Sequence, residues 1–150
     1  MPIVRVQEAD FDIGSELDSL TRGRRDVGAV ASFVGLVRDA TDGSTVSGMT
    51  LEHYPGMTEK ALEDICAQAG SRWDLIDTLV IHRVGALKPG ERIVLVGVSS
   101  AHRGDAFSAC EFIMDYLKTR APFWKREDTP KGARWVDPRA SDDTAAEKWK

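Results

Sequence analysis

Alternating apolar and polar residues divide the chain into short strands and helices. Residues 3–6 predict a first strand. Asp12 is then placed to cap a helix in which Ile13, Leu17 and Leu20 recur at i, i+4 and i+7. This first segment therefore predicts a strand followed by a short amphipathic helix.

A long apolar stretch, VGAVASFVGLV at residues 27–37, predicts a strand that runs into Arg38 and Asp39. Residues 46–53 predict a second strand, and the intervening DATDGST is rich in turn-forming residues. Because a short turn between two strands is typical of a β-hairpin, we expect these strands to pair, with a mobile tip between them.

Thr58 begins a predicted helix whose apolar residues share one face and which ends near Gly70. Residues 75–83 and 92–99 then predict two strands joined by the turn sequence GALKPGE. A further helix is predicted from about Asp105, and it presents an apolar face to a core.

Strands joined by short turns and interspersed with amphipathic helices indicate the α+β class, with helices packed on a mostly antiparallel sheet. The 150 residues are enough for one well-packed domain, so we expect a single domain over residues 1–150. Residues 139–150 form a polar tail, expected as a short helix or a frayed end that partner contacts would order. Trp149 within it is expected to dock against something, in the chain or in a partner.

Charge and cysteine content narrow the classes of function. The 24 acidic and 20 basic residues give a net charge of −4 and are interleaved, which argues against a broad nucleic-acid-binding surface. Cys66 and Cys110 lie among apolar residues, without the neighbours that a zinc site or redox motif needs, and are interpreted as core residues. No run approaches the roughly 18 apolar residues of a membrane span, and no signal-peptide pattern is present, so a soluble, cytoplasmic protein is expected.

The segment FIMDYLKTRAPFWKRE, residues 112–127, joins an apolar helix to a group of cations. The helix should stop near Ala121, because Pro122 lacks an N–H group and pushes the preceding residue out of the helical conformation. The cations gathered around this helix end are Lys118 and Arg120 on the helix, and Lys125 and Arg126 on a short extended segment that can fold back toward Lys118.

Two interpretations of this group are open. A helix C-terminus favours cations, so the group could simply complement the helix dipole at the surface. Alternatively it is an anion-binding or catalytic site, since Phe123 and Trp124 are expected to be buried and to draw the neighbouring lysines partly out of water. A lysine held there beside other cations should have a lowered pKa.

Further cations lie where predicted strands meet loops or helices. Arg38 follows a strand, where its guanidinium could bind a phosphate or carboxylate, or could simply be an exposed strand end. His102 and Arg103 precede a helix, where free backbone amides favour anions, although His102 could equally be a hydrogen-bonded structural histidine. His53 and His82 have no companion at metal-ligand spacing, so both are interpreted as structural and no metal is assigned.

Other residues carry weaker signals. Phe33 and Tyr54 could line a binding pocket, but core packing is the preferred interpretation for both. Met114 is interpreted as a core or pocket-wall residue. No serine stands in a nucleophile-elbow sequence, and Gly-rich phosphate loops are missing. These absences narrow the possible classes of enzyme.

Five motifs together resemble the large, catalytic subunits of molybdopterin synthase: FVGLVRD, LEHYPGMTEKAL, IHRVG, SSAHR and FIMDYLKTRAPFWKRE. The similarity covers nearly the whole chain. The last motif is the most specific, because helical amphipathicity alone does not produce a lysine followed by PFWK at the end of a helix.

The resemblance implies an α/β hammerhead-type fold and a homodimer of large subunits. A small ubiquitin-like sulfur-carrier subunit would bind at each outer end to give a heterotetramer. The implied enzyme is a sulfurtransferase of molybdenum cofactor biosynthesis. It would convert cyclic pyranopterin monophosphate to molybdopterin by two sulfur transfers from the Gly-Gly thiocarboxylate of the carrier, with no separate cofactor.

The resemblance also implies roles for particular residues. Lys118 and Lys125 match the catalytic lysines of the family. A cleft that gathers a phosphate and a thiocarboxylate needs several cations, and the residues suited to supply them are Arg38, His102, Arg103, Lys118, Lys125 and Arg126. The positions that match substrate-binding residues are Leu36, Val37, Arg38, His102, Arg103, Lys118, Lys125, Arg126 and Glu127.

A competing interpretation is a non-enzymatic module that binds an anion or a peptide terminus without turnover. Residue types alone do not separate the two, but the fate of the carrier does: an enzyme converts its thiocarboxylate to a carboxylate, whereas a binder returns it unchanged. A nucleic-acid module would show affinity that falls steeply with salt, and the acidic net charge disfavours it.

Overall fold

The computed structural model describes residues 2–41, 43–136 and 140–150, and it confirms the α+β class with mostly antiparallel strands. In chain order the elements are β1 (Ile3–Gln7), α1 (Ile13–Asp18), β2 (Ala29–Leu36), β3 (Ala40–Thr41), β4 (Ser44–Thr45), β5 (Gly48–His53), α2 (Met57–Arg72), β6 (Asp77–Arg83), β7 (Gly85–Leu87), β8 (Arg92–Ser100), α3 (Arg103–Arg120), β9 (Phe123–Thr129), β10 (Gly132–Val136) and α4 (Ala140–Glu147).

The first sheet has the strand order β1-β6-β8-β2, in which β1 is parallel to β6 and the other pairs are antiparallel. On one face, residues such as Val80 and Val96 pack under α2 and α3 in the largest apolar cluster. On the other face, Leu79 and Ile81 pack with Leu20 beside α1. Because both faces of the sheet are covered, β6 and β8 need apolar side chains on both faces and not only at every second residue.

The second sheet has the strand order β10-β9-β5-β7, and all its pairs are antiparallel. The predicted hairpin between residues 27–37 and 46–53 is wrong. The first of these strands, β2, pairs with β8, whereas β5 pairs with β9 and β7. The turn-rich residues between them form a separate ribbon of β3 and β4, and residue 42 of the predicted turn lies outside the described residues.

Helix ends follow the predicted capping and breaking signals. Asp12 Oδ1 accepts the Ser15 N–H at 3.0 Å, as an N-cap should. The last long helix, α3, begins at Arg103, slightly earlier than predicted, and its C-cap is Ala121. Ala121 has extended dihedral angles (φ −84°, ψ 133°), which the following Pro122 favours.

The C-terminal residues fold back onto the helical layer. Helix α4 packs against α3, and the Trp149 ring meets Trp73 and Phe112 edge-on, with centroids 5.4 and 5.7 Å away. Trp149 Nε1 donates to Asp115 Oδ2 at 2.6 Å. The predicted docking of Trp149 is therefore confirmed within one chain, whereas residue 139, where the predicted tail begins, lies outside the described residues.

His82 and Phe123 connect the two sheets. Their rings stack with centroids 3.8 Å apart and planes inclined by 19°, and His82 is buried. Burial lowers the pKa of His82 to about 4; the hydrogen bond between its Nδ1 and the Arg83 carbonyl opposes this change, and the charges of Lys118 and Lys125 reinforce it. His82 is therefore neutral at pH 7.

Replacing Gly28 by alanine should destabilise the fold strongly. The Gly28 N–H donates to Ser100 O at 3.0 Å, and a Cβ atom at Gly28 would lie 2.1 Å from the backbone oxygen of Ala101. Because backbone atoms cannot move aside as a flexible side chain can, we expect Gly28→Ala to lower the free energy of unfolding by about 3 kcal/mol, measured by chemical denaturation. Gly70→Ala in α2, where a Cβ meets nothing within 4 Å, is the matched control and should stabilise by up to about 1 kcal/mol. Equal denaturation midpoints for the two variants would contradict this packing.

The free energy of unfolding should fall as the pH drops from 6.5 toward 4, because the unfolded chain binds a proton at His82 more readily than the buried site does. With an ordinary pKa of 6.5 and a folded value of about 4, this group alone accounts for a loss of about 3 kcal/mol by pH 4. His82→Phe keeps an aromatic ring against Phe123 and should remove most of this slope. Denaturant titrations of both proteins at several pH values measure the difference, and parallel curves between pH 6.5 and 4 would refute it.

Candidate functional site

Lys118 and Lys125 lie on opposite sides of the connection between α3 and β9, residues 121–123, which we call the junction. Lys118 is in the last turn of α3, and Lys125 is near the start of β9, so only the residues around Pro122 separate their elements. Across the junction, the Phe123 N–H donates to Ala121 O at 2.9 Å. The predicted extended segment after the helix is therefore confirmed. Lys118 is exposed in the single chain, and Lys125 is partly buried.

Both lysines lie close enough to His82 for their charges to lower its pKa. Burial is the main cause of the lowered pKa of His82, and the charges of Lys118, Lys125 and His53 add to it. His82 lies on the face of β6 that α3 covers, since Val80, two residues earlier, packs in the cluster beneath that helix. The sequence identified His82 only as a structural histidine; its place beside the lysines depends on contacts between distant segments.

Arg126 points to the opposite side of β9 from Lys125, because successive side chains alternate along a strand. Lys125 pairs with Leu51, a core residue, whereas Arg126 pairs with Trp135, whose ring centroid lies 6.0 Å from the guanidinium carbon. Arg126 Nε is buried and has no hydrogen-bond partner among the described residues. The guanidinium carbon of Arg120 lies 3.9 Å from the centroid of an aromatic ring in its own helix, α3. The predicted group of cations is therefore divided between different surfaces.

Glu127 is buried on the same side of β9 as Lys125 and bonds to neighbouring strands. Thr41 Oγ1 donates to its Oε2 at 2.8 Å, and Arg134 Nη2 donates to its Oε1 at 3.2 Å. Both carboxylate oxygens therefore have internal partners. Glu127 ties the β3–β4 ribbon and β10 to the strand that carries Lys125.

Arg38 is exposed directly after the end of β2. It is held there by the backbone of Val37, whose N–H donates to Glu91 O at 2.9 Å and whose carbonyl accepts from the Gly90 N–H at 2.8 Å. Val37 itself is buried, whereas Leu36 is 52% exposed. Arg38 and Gly90 line an open, shallow cleft at this end of the molecule. A guanidinium placed there is accessible to an anionic ligand.

His102 and Arg103 lie at the opposite end of the first sheet from Arg38. Strand β2 begins opposite Ser100 and ends just before Arg38, so its length of about 25 Å, at roughly 3.3 Å per residue, separates them. Lys118 is also about 22 Å further along α3 than Arg103, at 1.5 Å per residue. One chain therefore presents two separate groups of cations and does not close His102 and Arg103 over its own Lys118.

Several aromatic residues assigned to the core from the sequence are exposed instead. Phe33 is 42% exposed, Tyr54 57% and Trp124 48%, so the predicted burial of these three is wrong. Met114 is buried, as predicted. Phe33 lies on β2, which is an edge strand of the first sheet among the described residues. An apolar edge strand is a surface on which another chain can pack.

Cys66 and Cys110 are buried, as predicted, and burial raises the pKa of each thiol to about 11. Both thiols are therefore protonated at neutral pH and are weak nucleophiles. Among the described residues, no group of three or more His, Cys, Asp or Glu side chains could hold a metal ion. In the same part of the chain, no helix is both long enough and apolar enough to cross a membrane.

Comparison with known proteins identifies the family. Residues 6–120 match the family model described as MoaE protein. The molybdopterin synthase catalytic subunit of Ralstonia nicotianae is 66% identical over 149 residues, which are 99% of this chain and 85% of that protein. The MoaE protein structure from Burkholderia ambifaria superposes with a TM-score of 0.86 at 55% identity, covering 99% of this chain and 98% of that one.

A more distant structure shares the fold. It is a complex of subunits 1 and 2 of the molybdopterin-converting factor from Helicobacter pylori, with a TM-score of 0.74 at 20% identity and 91% of each chain covered. Both the family model and the close relatives span most of the chain and include the segment that carries Lys118. The chain therefore belongs to the MoaE family, the family of the molybdopterin synthase catalytic subunits.

Proposed function

We propose that this protein transfers sulfur from the C-terminal thiocarboxylate of a small ubiquitin-like carrier to cyclic pyranopterin monophosphate, and so makes molybdopterin. The observation that carries the proposal is the placement of Lys118 and Lys125 on either side of one junction, within one electrostatic neighbourhood. The names of the close relatives support the reaction, and the two-subunit complex of the Helicobacter pylori protein supports the carrier as partner.

The chemistry explains why two lysines are needed. The carrier terminus and the substrate phosphate are both anionic, so a cleft that brings them together must supply positive charge. Lys118, at the exposed end of α3, stabilises the charge that develops on the terminal carbonyl of the carrier or acts there as acid and base. Lys125, partly buried on β9, holds the substrate or the leaving oxygen. In each transfer the C–S bond of the carrier thiocarboxylate breaks and a C–S bond to the substrate forms, while the carrier carbonyl carbon takes an oxygen from the substrate or from water and becomes a carboxylate.

The remaining site residues act in different ways. Arg38 binds the phosphate from the open cleft at the end of β2, and Leu36 and Val37 shape that cleft. Arg126 contributes positive charge from the side of β9 opposite to Lys125. Glu127 acts mainly by holding the neighbouring strands in place, since both its carboxylate oxygens already have partners within the chain.

A second copy of the chain supplies His102 and Arg103. These residues are about 22 Å from Lys118 along α3, which is too far for them to join it within one chain. The exposed apolar residues of edge strand β2, including Phe33 and Leu36, offer a surface for that second copy. The assembly proposed is a homodimer with one carrier at each outer end. We assign it to the cytoplasm, where two free thiols stay reduced.

Replacing Lys118 by alanine should abolish most of the activity. In a reconstitution with thiocarboxylated carrier and cyclic pyranopterin monophosphate, we expect kcat/KM to fall by about 100-fold or more, because transition-state charge loses its partner. Molybdopterin is measured as its fluorescent oxidised derivative. Lys131→Ala, which removes an exposed lysine from the β9–β10 turn, is the matched control and should retain full activity.

The same assay separates an enzyme from a binding module. If wild-type protein binds the carrier but leaves its thiocarboxylate intact in the presence of substrate, the chain is a binder and the proposed reaction is wrong. Full activity of a folded Lys118→Ala variant would instead remove the role given to Lys118 alone.

A mixed dimer tests the shared site. Chains carrying Lys118→Ala are co-refolded with chains carrying Arg103→Ala, and each variant alone should be nearly inactive. In a mixed dimer one site has both defects, whereas the other has neither. Since random pairing makes about half of the dimers mixed, we expect recovery of roughly a quarter of wild-type activity. No recovery, with mixed dimers demonstrated by mass spectrometry, would place Lys118 and Arg103 in the same chain's site.

A further inference from the structure

The junction between Lys118 and Lys125 is gripped from two sides by buried residues of other elements. Thr58, near the start of α2, contacts Pro122, and His82 of β6 contacts Phe123. We propose that Thr58 and His82 are positioning residues for sulfur transfer, because together they set the placement of one catalytic lysine relative to the other. This inference rests on the proposed roles of the two lysines.

Thr58 forms the first contact through its hydroxyl group. The side chain is fully buried, Oγ1 donates to the Pro122 carbonyl at 3.0 Å, and the same oxygen accepts the Tyr54 N–H at 2.9 Å. Proline has no N–H group, so this carbonyl is its only backbone hydrogen-bonding group. The hydroxyl therefore links the loop before α2 to the centre of the junction.

Helix capping does not account for this hydroxyl. The N-cap of α2 is Gly56, whose N–H donates to Glu59 Oε1 at 3.1 Å. That side chain provides the usual reciprocal bond at the helix start. Thr58 instead directs its hydrogen toward Pro122, 64 residues away in the sequence. Its donor group serves a tertiary contact.

His82 forms the second contact through a parallel stack on Phe123, with the ring centroids 3.8 Å apart. Its Nδ1 lies 2.8 Å from the Arg83 carbonyl, which can only accept, so Nδ1 carries the proton. A neutral ring adds no third charge beside Lys118 and Lys125. The Arg83 guanidinium is turned away and donates to the backbone carbonyls of Glu8 and Arg92, so it does not face the ring.

The two contacts grip consecutive residues, Pro122 and Phe123, from α2 and from β6. Helix α3 and strand β9 can therefore not rotate about the junction without breaking a buried hydrogen bond or a ring stack. Misplacing a reacting group by about 1 Å can reduce a rate by roughly 100-fold, so a small rotation would matter for catalysis. The rigid junction explains how two lysines on different elements keep one geometry.

The test of the first contact is a pair of substitutions at Thr58. Thr58→Val keeps the shape and loses the hydrogen bonds, and its kcat should fall by about tenfold or more. Thr58→Ser keeps the hydroxyl and should recover kcat to within about threefold of wild type. The affinity for thiocarboxylated carrier, measured by calorimetry, should be unchanged in both, because the lysine charges remain. Thr78→Val removes a buried hydroxyl from β6 away from the junction and controls for lost stability.

The second contact is tested by His82→Phe and His82→Ala. The first keeps an aromatic ring on Phe123 and should retain kcat to within about threefold, whereas the second loses the stack and should lower kcat by about tenfold. All assays are run below the unfolding transition of every variant. If Thr58→Val does not fold, this pair decides the proposal alone.

Wild-type kcat in folded Thr58→Val, or equal kcat in His82→Phe and His82→Ala, overturns the inference. A drop in Thr78→Val as large as that in Thr58→Val also overturns it, because general loss of packing would then explain the effect. Lys118→Ala in the same assay separates this failure from failure of the proposed function. If Lys118→Ala is inactive while the Thr58 and His82 variants remain active, the roles of the lysines stand. Only the positioning role of Thr58 and His82 is then removed.

Discussion

The structure depends on the stop that Pro122 imposes on α3. Because proline cannot continue the helix and favours an extended preceding residue, the chain leaves the helix at Ala121 and enters β9 at once. This change of direction joins the helical layer of the first sheet to the second sheet. It also brings Lys118 and Lys125, which belong to different elements, to one place. The contacts of Thr58 and His82 with the junction then hold that arrangement.

The lengths of α3 and β2 impose the second constraint. Both elements run from the end that carries His102 and Arg103 to the end that carries the lysines or Arg38, over about 22 to 25 Å. A rigid helix on a rigid sheet cannot bend these ends together. The cations that the family resemblance groups in one pocket are therefore divided in one chain, which is the physical reason for proposing a site shared between two copies.

Features that depend on neighbouring residues were predicted from the sequence, whereas features that depend on tertiary contacts were not. The cap at Asp12 and the break at Pro122 were predicted correctly, because each depends on atoms within one helical turn. The hairpin of β2 with β5 was wrong, because alternation and turn residues identify strands without identifying their partners. Phe33 and Tyr54 were assigned to the core for their size, yet their exposure depends on which neighbours cover them. A short extended segment after Pro122 was predicted correctly, but its pairing with β5 and β10, which makes it a strand and separates Arg126 from Lys125, depends on distant segments.

By itself the sequence determined the helix and strand segments, the residue types of the site and, through its motifs, the resemblance to a family. These properties depend on short stretches of chain, where neighbours in sequence are neighbours in space. Only the tertiary structure decided which strands pair, which side chains share a face with Lys125 and how far Arg103 lies from Lys118. It also placed Thr58 and His82 against the junction, from segments dozens of residues away. Such contacts arise from burial between distant segments, and no local pattern encodes which segments will meet.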